Sequence, residues 1–119
     1  MPCVYFIQPA ELRNTNRYKI GRSSKDDLSR VRSYKNGSRY ILIIECDDDK
    51  EVEKLLIARF NKEFAKIAGN EYFQGDENEM FNIFINTVTE YKNKIIEEEP
   101  DTIKTEKLKI NWMEKFKYK

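Results

Sequence analysis

The sequence contains no histidine and few cysteine, glycine or proline residues. Its 119 residues include two cysteines, four glycines and three prolines. The absence of histidine excludes His-based catalytic triads, histidine general bases and zinc sites with histidine ligands. Two cysteines are too few for a structural zinc site. Any catalysis by this chain must therefore use Tyr, Lys, Arg, Asp, Glu or Ser side chains.

The sequence also lacks a strong net charge and any long apolar run. Its formal net charge is +1, so a nucleic-acid site must come from local clusters of lysine and arginine. No apolar run approaches membrane-spanning length, and the N-terminus lacks the pattern of a secretory signal. We therefore expect a soluble, intracellular protein without a membrane partner. Cys3 and Cys46 should then be buried thiols, with a disulfide between them as the alternative.

The composition that remains is polar but rich in aromatic residues. Charged residues make up 36% of the chain, hydrophobic residues 39% and aromatic residues 13%, which favours one folded domain with a small core of Phe and Tyr. We predict this domain over residues 1–97 and a basic, aromatic tail over residues 98–119. The tail either grips a phosphate backbone and stacks its aromatic rings on bases, or packs as a helix on the domain or on a second copy.

Hydrophobic periodicity and turn residues predict the element order β-β-α-β-α-α. A small three-stranded antiparallel sheet flanked by helices, an α+β fold, accommodates this order. Residues 71–73 should add a short extended piece. The predicted strands are residues 3–8, 17–22 and 39–46, and the predicted helices run from a cap at Ser23 or Ser24 to Asn36 and over residues 50–67 and 77–97.

The first predicted hairpin brings a phenol and an ammonium group to one face. If Val4 and Phe6 face the core, strand alternation places Tyr5, Lys19 and Gly21 together on the opposite face. A neighbouring positive charge favours the phenolate form, so Tyr5 is a candidate general base or water-positioning group. The alternative is a half-buried strand tyrosine beside a solvated lysine.

The first predicted helix carries a basic cluster. Arg30 and Tyr34 are four residues apart and share a face, and the planar, permanently charged fork of arginine suits phosphate oxygens. The alternative is an ordinary charged helix surface. The surrounding basic residues, which with Lys19 form the densest basic zone of the predicted domain, are Arg22, Arg32, Lys35 and Arg39.

Glu53 is the most informative acidic residue. On a helical wheel it lies within the apolar stripe that contains Val52, Leu56 and Phe60. A carboxylate there costs energy unless it is paired or binds a cation, and a hard divalent metal such as Mg²⁺ would satisfy it. A buried glutamate satisfied by Arg or Tyr is the structural alternative. Glu63 also falls near this stripe but closer to the helix end, where water can reach it.

Two strand motifs and the residues after them resemble a known nuclease family. Residues 3–5, Cys-Val-Tyr, followed by residues 19–21, Lys-Ile-Gly, are similar to the paired motifs of the GIY-YIG nuclease superfamily. Arg30 follows at the distance where that family places its helix arginine. Tyr34 matches a position that the family fills with Tyr or His, and Glu53 matches its metal-binding glutamate.

Two further strings resemble the branch of this superfamily found in phages and large DNA viruses. They are Tyr-Lys-Ile-Gly-Arg at residues 18–22 and Glu-Tyr-Phe at residues 71–73. If the protein is viral, we expect it in the cytoplasm or nucleus of a host cell. The sequence departs from the family pattern at Cys3 in place of Gly, Lys19 in place of Tyr and Ile57 in place of His.

The resemblance implies a role for each matching residue. Tyr5 would position or deprotonate the attacking water, and Arg30 would hold the scissile phosphate. Glu53 would bind one Mg²⁺ or Mn²⁺ ion that stabilises the leaving oxygen. Gly21 would let the backbone approach the substrate, and Lys19 would contact phosphate or activate Tyr5.

The remaining expected site residues have less specific roles. Tyr34 is expected in the catalytic group. Arg22 and Arg32 are expected to bind substrate, and Asn70 is the candidate for the family's late asparagine.

The expected function is that of a metal-dependent endonuclease that hydrolyses phosphodiester bonds of nucleic acid, with DNA favoured over RNA. One alternative is a weakened nuclease-like domain that only binds nucleic acid or a protein partner, because Lys19 replaces a motif tyrosine. A purely structural interaction domain is a third reading. Both a monomer and a homodimer remain open.

Overall fold

A computed structural model of the chain describes residues 2–24, 32 and 34–97, and these contain five β-strands and two α-helices. Most of the predicted helix after Ser24, including Arg30, and the predicted tail over residues 98–119 lie outside the described residues. The strands are β1 (Cys3–Gln8), β2 (Arg17–Ser23), β3 (Arg39–Glu45), β4 (Ala65–Ala68) and β5 (Tyr72–Gln74). The helices are α1 (Asp49–Glu63) and α2 (Glu77–Glu97), and a short 3₁₀ helix spans Ala10–Leu12.

All five strands form one antiparallel sheet in the order β3-β1-β2-β5-β4. The α+β class and the three predicted strands are confirmed. The central hairpin pairs Tyr5 with Gly21 and Phe6 with Ile20. The sheet has two strands more than the three predicted. Residues 71–73 are predicted only as a short extended piece, but β5 pairs with β2 on one side and with β4, the edge strand, on the other.

The prediction of a helix up to residue 67 is wrong, since α1 ends at Glu63. Phe64 donates the last helical hydrogen bond to Phe60, but its own backbone is extended, with φ −131° and ψ 159°. The next four residues, Ala65–Ala68, form β4 and pair with β5. Alanine and lysine favour helices locally, and every residue of β4 is exposed, so the apolar pattern could not reveal the strand.

Aromatic side chains fill the core on one side of β1. Phe6 lies 6.2 Å from Phe60 of α1 and 6.0 Å from Phe84 of α2, measured between ring centroids. Phe60 also contacts Phe73 of β5 at 5.4 Å. These rings are fully buried, and each contributes about 1.5–3 kcal/mol by leaving water. The core therefore holds both helices against the same face of the sheet.

Strand β1 is buried on both faces. All six of its residues are buried, although only Val4 and Phe6 face the aromatic core. On the other face Cys3, Tyr5 and Ile7 form a second cluster, and Tyr34 packs against it. Both cysteines are buried thiols rather than halves of a disulfide, as expected, and burial raises the pKa of Cys3.

A polar network fixes the first hairpin to the start of α2. Buried Gln8 donates a hydrogen bond of 2.8 Å to the carbonyl of Thr15 and accepts one of 2.8 Å from Arg39. Arg39 also pairs with Glu77 at 2.9 Å. The hydrogen bond from Arg39 holds the pKa of Glu77 below its ordinary value. Burial, followed by the nearby Glu77 carboxylate, raises the pKa of Tyr18.

The chain divides into two units, Met1–Val88 and Thr89–Lys119. The first contains the whole sheet, α1 and the beginning of α2, while residues 89–97 continue α2 within the second. The predicted boundary at residue 97 stays a prediction. In the part of the chain that the structure describes, neither helix is apolar and long enough to span a bilayer.

The ion pair at the start of α2 predicts a pH-dependent loss of stability. We expect Glu77→Gln to lower the free energy of unfolding at pH 7 by about 0.2–1 kcal/mol, the usual worth of a partly exposed pair. Because the folded pKa of Glu77 is lowered, this stabilisation is complete above the unfolded value of about 4.3 and is lost as pH falls through the folded value. Urea unfolding at pH 7 and at pH 3 measures both effects.

Glu79→Gln is the matched control, because Glu79 lies in the same first helical turn, is exposed and has the same helix-dipole advantage. It should change stability less than Glu77→Gln at pH 7. Equal losses in the two variants would mean that the pair with Arg39 contributes nothing.

Candidate functional site

The Tyr5 ring lies directly across the backbone of Gly21. The two residues are paired between β1 and β2, and a Cβ atom added at Gly21 would lie 2.3 Å from Tyr5 Cζ. No side chain larger than hydrogen fits there without moving the ring. The glycine of the second strand motif is therefore required by the tyrosine of the first.

The Tyr5 hydroxyl forms a hydrogen bond with the hydroxyl of Tyr34. The two oxygens are 3.0 Å apart, and the rings meet edge to face with centroids 5.8 Å apart. Only one hydroxyl of such a pair can donate to the other. The accepting hydroxyl can donate its own proton to a further acceptor.

Lys19 brings a positive charge to these phenols. Its Nζ atom lies 4.8 Å from the centroid of the Tyr34 ring and 5.4 Å from that of Tyr72. It also lies 3.7 Å from Glu71 Oε2, and the side chain is 14% exposed. The register puts Lys19 on the face of Tyr5 and Gly21, as predicted, but the ring that its ammonium covers is that of Tyr34. A cation over an aromatic face is attracted by the ring quadrupole.

A second group of polar side chains joins the end of β2 to the start of α1. Arg22 Nη1 donates hydrogen bonds to Asp49 Oδ2 at 3.0 Å and to Ser24 Oγ at 3.1 Å. Ser24 donates to the same Asp49 oxygen at 2.8 Å. Asp49 is buried, so these two donors compensate the loss of water around its carboxylate.

Glu53 belongs to this second group. Its Oε1 atom lies 3.5 Å from Arg22 Nε, and its side chain is 14% exposed. The pair with Arg22 provides part of the structural alternative raised for Glu53, a carboxylate satisfied by arginine, but it involves Oε1, while Oε2 is a buried oxygen for which no hydrogen-bond donor lies among the described residues. Glu63 is exposed at the end of α1, so of the two acids near the apolar stripe only Glu53 is held in a partly buried position.

The two groups lie on opposite faces of the central hairpin. The register pairs Tyr5 with Gly21 but Arg22 with Val4, and directly paired residues share a face. Gly21 and Arg22 are consecutive, so two neighbouring residues of β2 contribute to the two groups. The structure brings Tyr5, Lys19, Gly21 and Tyr34 together on one face, and Arg22 and Glu53 on the other.

Two further predicted site residues, Arg32 and Asn70, are described outside the contacts of these two groups. Arg32 is exposed and lines a cavity beside Tyr34. Asn70 is exposed in the β4–β5 turn, where it accepts a hydrogen bond of 3.1 Å from Lys66. Arg30 lies outside the described residues. The roles expected for all three stay predictions.

Sequence reasoning did not assign four residues of the two groups. They are Ser24, Asp49, Glu71 and Tyr72. One available signal was the spacing of Asp49 and Glu53, four residues apart and so on one helical face. Glu71 and Tyr72 belong to the Glu-Tyr-Phe string noted above, and strand pairing beside Lys19 gives that string its place in the site.

The second group contains two carboxylates, the ligand type that hard divalent metals prefer. In residues 2–24, 32 and 34–97, no cluster of three or more acidic, cysteine or histidine side chains could hold a metal ion. Mg²⁺ commonly binds proteins through one or two carboxylates and completes its octahedral shell with other oxygen ligands. Glu53 and Asp49 are two carboxylates of this kind, and both pair with Arg22.

Residues 2–96 match the sequence profile of the T5orf172 domain, a phage domain related to the GIY-YIG nucleases. The match covers most of the chain. No curated protein and no solved structure matches the chain significantly.

The contact of Tyr5 with Gly21 predicts a specific destabilisation. Gly21→Ala should lower the free energy of unfolding by about 1–3 kcal/mol, the usual cost of overpacking a buried position. Urea unfolding measures the loss. The added methyl group clashes with the Tyr5 ring, so the loss should shrink when Gly21→Ala is made in a Tyr5→Ala background. An equal loss in both backgrounds would locate the strain elsewhere.

Proposed function

The chain belongs to the T5orf172 domain family, and we propose that it is a metal-dependent endonuclease that hydrolyses phosphodiester bonds of DNA. One observation carries the proposal. The hydroxyls of Tyr5 and Tyr34 form a hydrogen-bonded pair, and the ammonium of Lys19 lies over the ring of Tyr34. Phenols held beside a fixed cation suit a reaction in which a water must be oriented toward an anionic phosphate.

Hydrolysis requires a water to attack phosphorus, its proton to leave, and the bond to the leaving oxygen to break. In this proposal the Tyr5 side chain orients the attacking water as a hydroxyl, or takes the proton of that water as a phenolate, and the leaving oxygen receives a proton from solvent. Tyr34 fixes the position of that hydroxyl by the 3.0 Å hydrogen bond. Lys19 supplies positive charge to the same face, which favours the more negative form of the hydroxyl pair and the approach of phosphate.

The second group would hold the metal. Glu53, with Asp49 one helical turn before it, presents carboxylate oxygens of the kind that Mg²⁺ or Mn²⁺ prefers. Because the two groups lie on opposite faces of the hairpin, the proposal requires the scissile phosphate to sit at the end of the hairpin, where both groups can reach it, and a bound ion would there stabilise the leaving oxygen. Arg22 competes with the metal for both carboxylates, and its planar fork is suited to turn toward a phosphate instead.

Further phosphate contacts would come from arginines outside these two groups. Arg32 is exposed beside Tyr34, and its charge lies where a substrate strand would leave Tyr5. By resemblance to the GIY-YIG nucleases, Arg30 would hold the scissile phosphate. Gly21, without a side chain, leaves room for the Tyr5 ring.

A nucleic-acid-binding module without catalysis is the second candidate. It is favoured by Lys19, which replaces the tyrosine of the second motif, and by Arg22, which neutralises Glu53. Such a site has cations that can bind a phosphate backbone, but it lacks the second motif phenol, and its glutamate pairs with Arg22 instead of a metal. Its binding would fall steeply as salt rises, because phosphate contacts release counterions.

The nuclease proposal predicts metal-dependent nicking that depends on both groups. The native chain should nick supercoiled plasmid in Mg²⁺ or Mn²⁺. Tyr5→Phe removes the hydroxyl and Glu53→Gln removes the negative charge, and each should slow nicking by about 100-fold or more. Gel analysis of nicked and linear plasmid over time gives the rates.

Glu63→Gln is the matched control for Glu53→Gln, because it makes the same chemical change at an exposed residue at the end of α1. It should nick at the native rate. Absence of nicking by the native chain, with salt-sensitive binding retained, would favour the binding module. Absence of both nicking and binding would contradict both candidates.

Lys19 should be needed for the reaction although it replaces a motif tyrosine. Lys19→Ala should reduce the nicking rate by about tenfold, since a desolvated cation over a ring is worth roughly 1–2 kcal/mol. Lys19→Arg should retain more activity than Lys19→Ala. Lys62→Ala, which removes an exposed lysine from the last turn of α1, is the control for net charge. A native rate in Lys19→Ala would rule out this role.

A further inference from the structure

A cavity of about 330 Å³ opens beside Tyr34 on the face that carries Tyr5. Its walls include Tyr34, Tyr40 and Ile43, and its basic residues are Arg32 and Lys35. We call it the Tyr34 cavity. It shares Tyr34 with the hydroxyl pair, so whatever occupies the cavity lies next to the proposed reaction centre.

A register shift between β1 and β3 turns Tyr40 and Ile43, the two strand residues of the cavity, toward the face of Tyr5. Tyr40 and Ile43 are three residues apart, and in a regular strand they would point to opposite faces. The register shifts between Phe6 and Ile7, so Tyr40 pairs with Ile7 while Ile43 pairs with Tyr5. Directly paired residues share a face, and bulges of this kind redirect side chains near functional sites. Tyr40 and Ile43 therefore both stand on the face of Tyr5.

The side chains of Tyr40 and Ile43 are much more exposed than those of the hydrophobic core. Tyr40 is 45% exposed and Ile43 is 40% exposed. They give the cavity an aromatic surface and an aliphatic surface, while Arg32 and Lys35 add positive charge. No acidic residue lines the described part of the cavity. A flat, neutral group attached to an anion matches this combination of surfaces and charge.

We propose that the Tyr34 cavity binds an unstacked nucleobase of the substrate strand, next to the phosphate that meets Tyr5 and Tyr34. The base stacks against Tyr40 and Ile43, and the adjoining phosphate contacts Arg32 or Lys35. Base stacking on aromatic side chains is tolerant of sequence because every base has a flat face. The proposal rests on the proposed function, because it takes the position of the scissile phosphate from it.

The cavity's size decides the form of substrate that fits. Its volume, about 330 Å³, is near the lower end of the range for small-molecule sites, roughly 300–1,000 Å³. That is room for a nucleoside and not for the end of a duplex. The substrate must then be single-stranded or locally opened, since a base within a duplex has to be unstacked and unpaired before it can enter.

Binding of short oligonucleotides to the full chain without metal tests the proposal. Fluorescence anisotropy would compare a labelled single strand, the same strand with abasic positions, and the matching duplex. The native chain should bind the single strand more tightly than the abasic strand or the duplex. Tyr40→Ala should weaken binding of the single strand by about 5- to 150-fold and leave abasic-strand binding unchanged.

Two variants separate stacking from other effects. Tyr40→Phe keeps the ring and should bind the single strand like the native chain. Ile43→Ala should weaken binding of base-containing strands, whereas Ile67→Ala should not. Ile67 is the matched control because it is 36% exposed and lies on β4, at the opposite edge of the same sheet.

Two results would overturn the base site: equal binding of base-containing and abasic strands by the native chain, or equal weakening of both by Tyr40→Ala. An RNA strand that binds more tightly than the DNA strand, with the same dependence on Tyr40, would support the site and identify RNA as its preferred ligand. The nicking assay is independent of this one. Nicking that requires Tyr5, together with native binding by Tyr40→Ala, would remove the base site and leave the nuclease standing. A Tyr40-dependent preference for base-containing strands, without nicking by the native chain, would support the base site and contradict the nuclease.

Discussion

The close approach of the Tyr5 ring to the backbone of Gly21 is the contact on which the rest of the site depends. Because Gly21 has no Cβ atom, a tyrosine can lie flat across β2 while remaining 1% exposed. That position places its hydroxyl 3.0 Å from the hydroxyl of Tyr34. Tyr34 then forms one wall of the adjoining cavity and the surface over which Lys19 extends. A larger residue at position 21 would displace the ring and, with it, each of these contacts.

Strand β2 distributes charge to both faces of the sheet. Its alternation sends Lys19 to the tyrosine face and Arg22 to the helix face, where Arg22 meets Asp49 and Glu53. Each cation is matched by acidic residues, since Lys19 also pairs with Glu71. This balance explains how a chain of net charge +1 can concentrate positive charge at a site without a basic surface overall. Local pairing with Glu71, Asp49 and Glu53 holds both cations in place.

Membership of the T5orf172 domain family and the geometry of the two groups support the same class of reaction from different directions. The family relates the chain to nucleases, and the geometry provides a phenol pair, a fixed cation and two helical carboxylates. The substitution of Lys19 for a motif tyrosine keeps a polar group at that position but changes its chemistry from phenol to ammonium. In the proposed reaction the acid–base work of this face would therefore fall to Tyr5 and Tyr34, which the hydrogen bond between them couples.

The sequence by itself determined the α+β class, the three strands β1, β2 and β3, and the helix Glu77–Glu97, because apolar periodicity records which face of an element is buried. It also placed Tyr5, Lys19 and Gly21 on one face. Only the tertiary structure decided that residues 65–68 leave the helix to pair with β5, that Arg22 pairs with Asp49 and Glu53, and that a register shift turns Tyr40 toward the site. These features depend on partners distant in the sequence, and backbone pairing or an ion pair across such a distance leaves no periodic pattern in the chain.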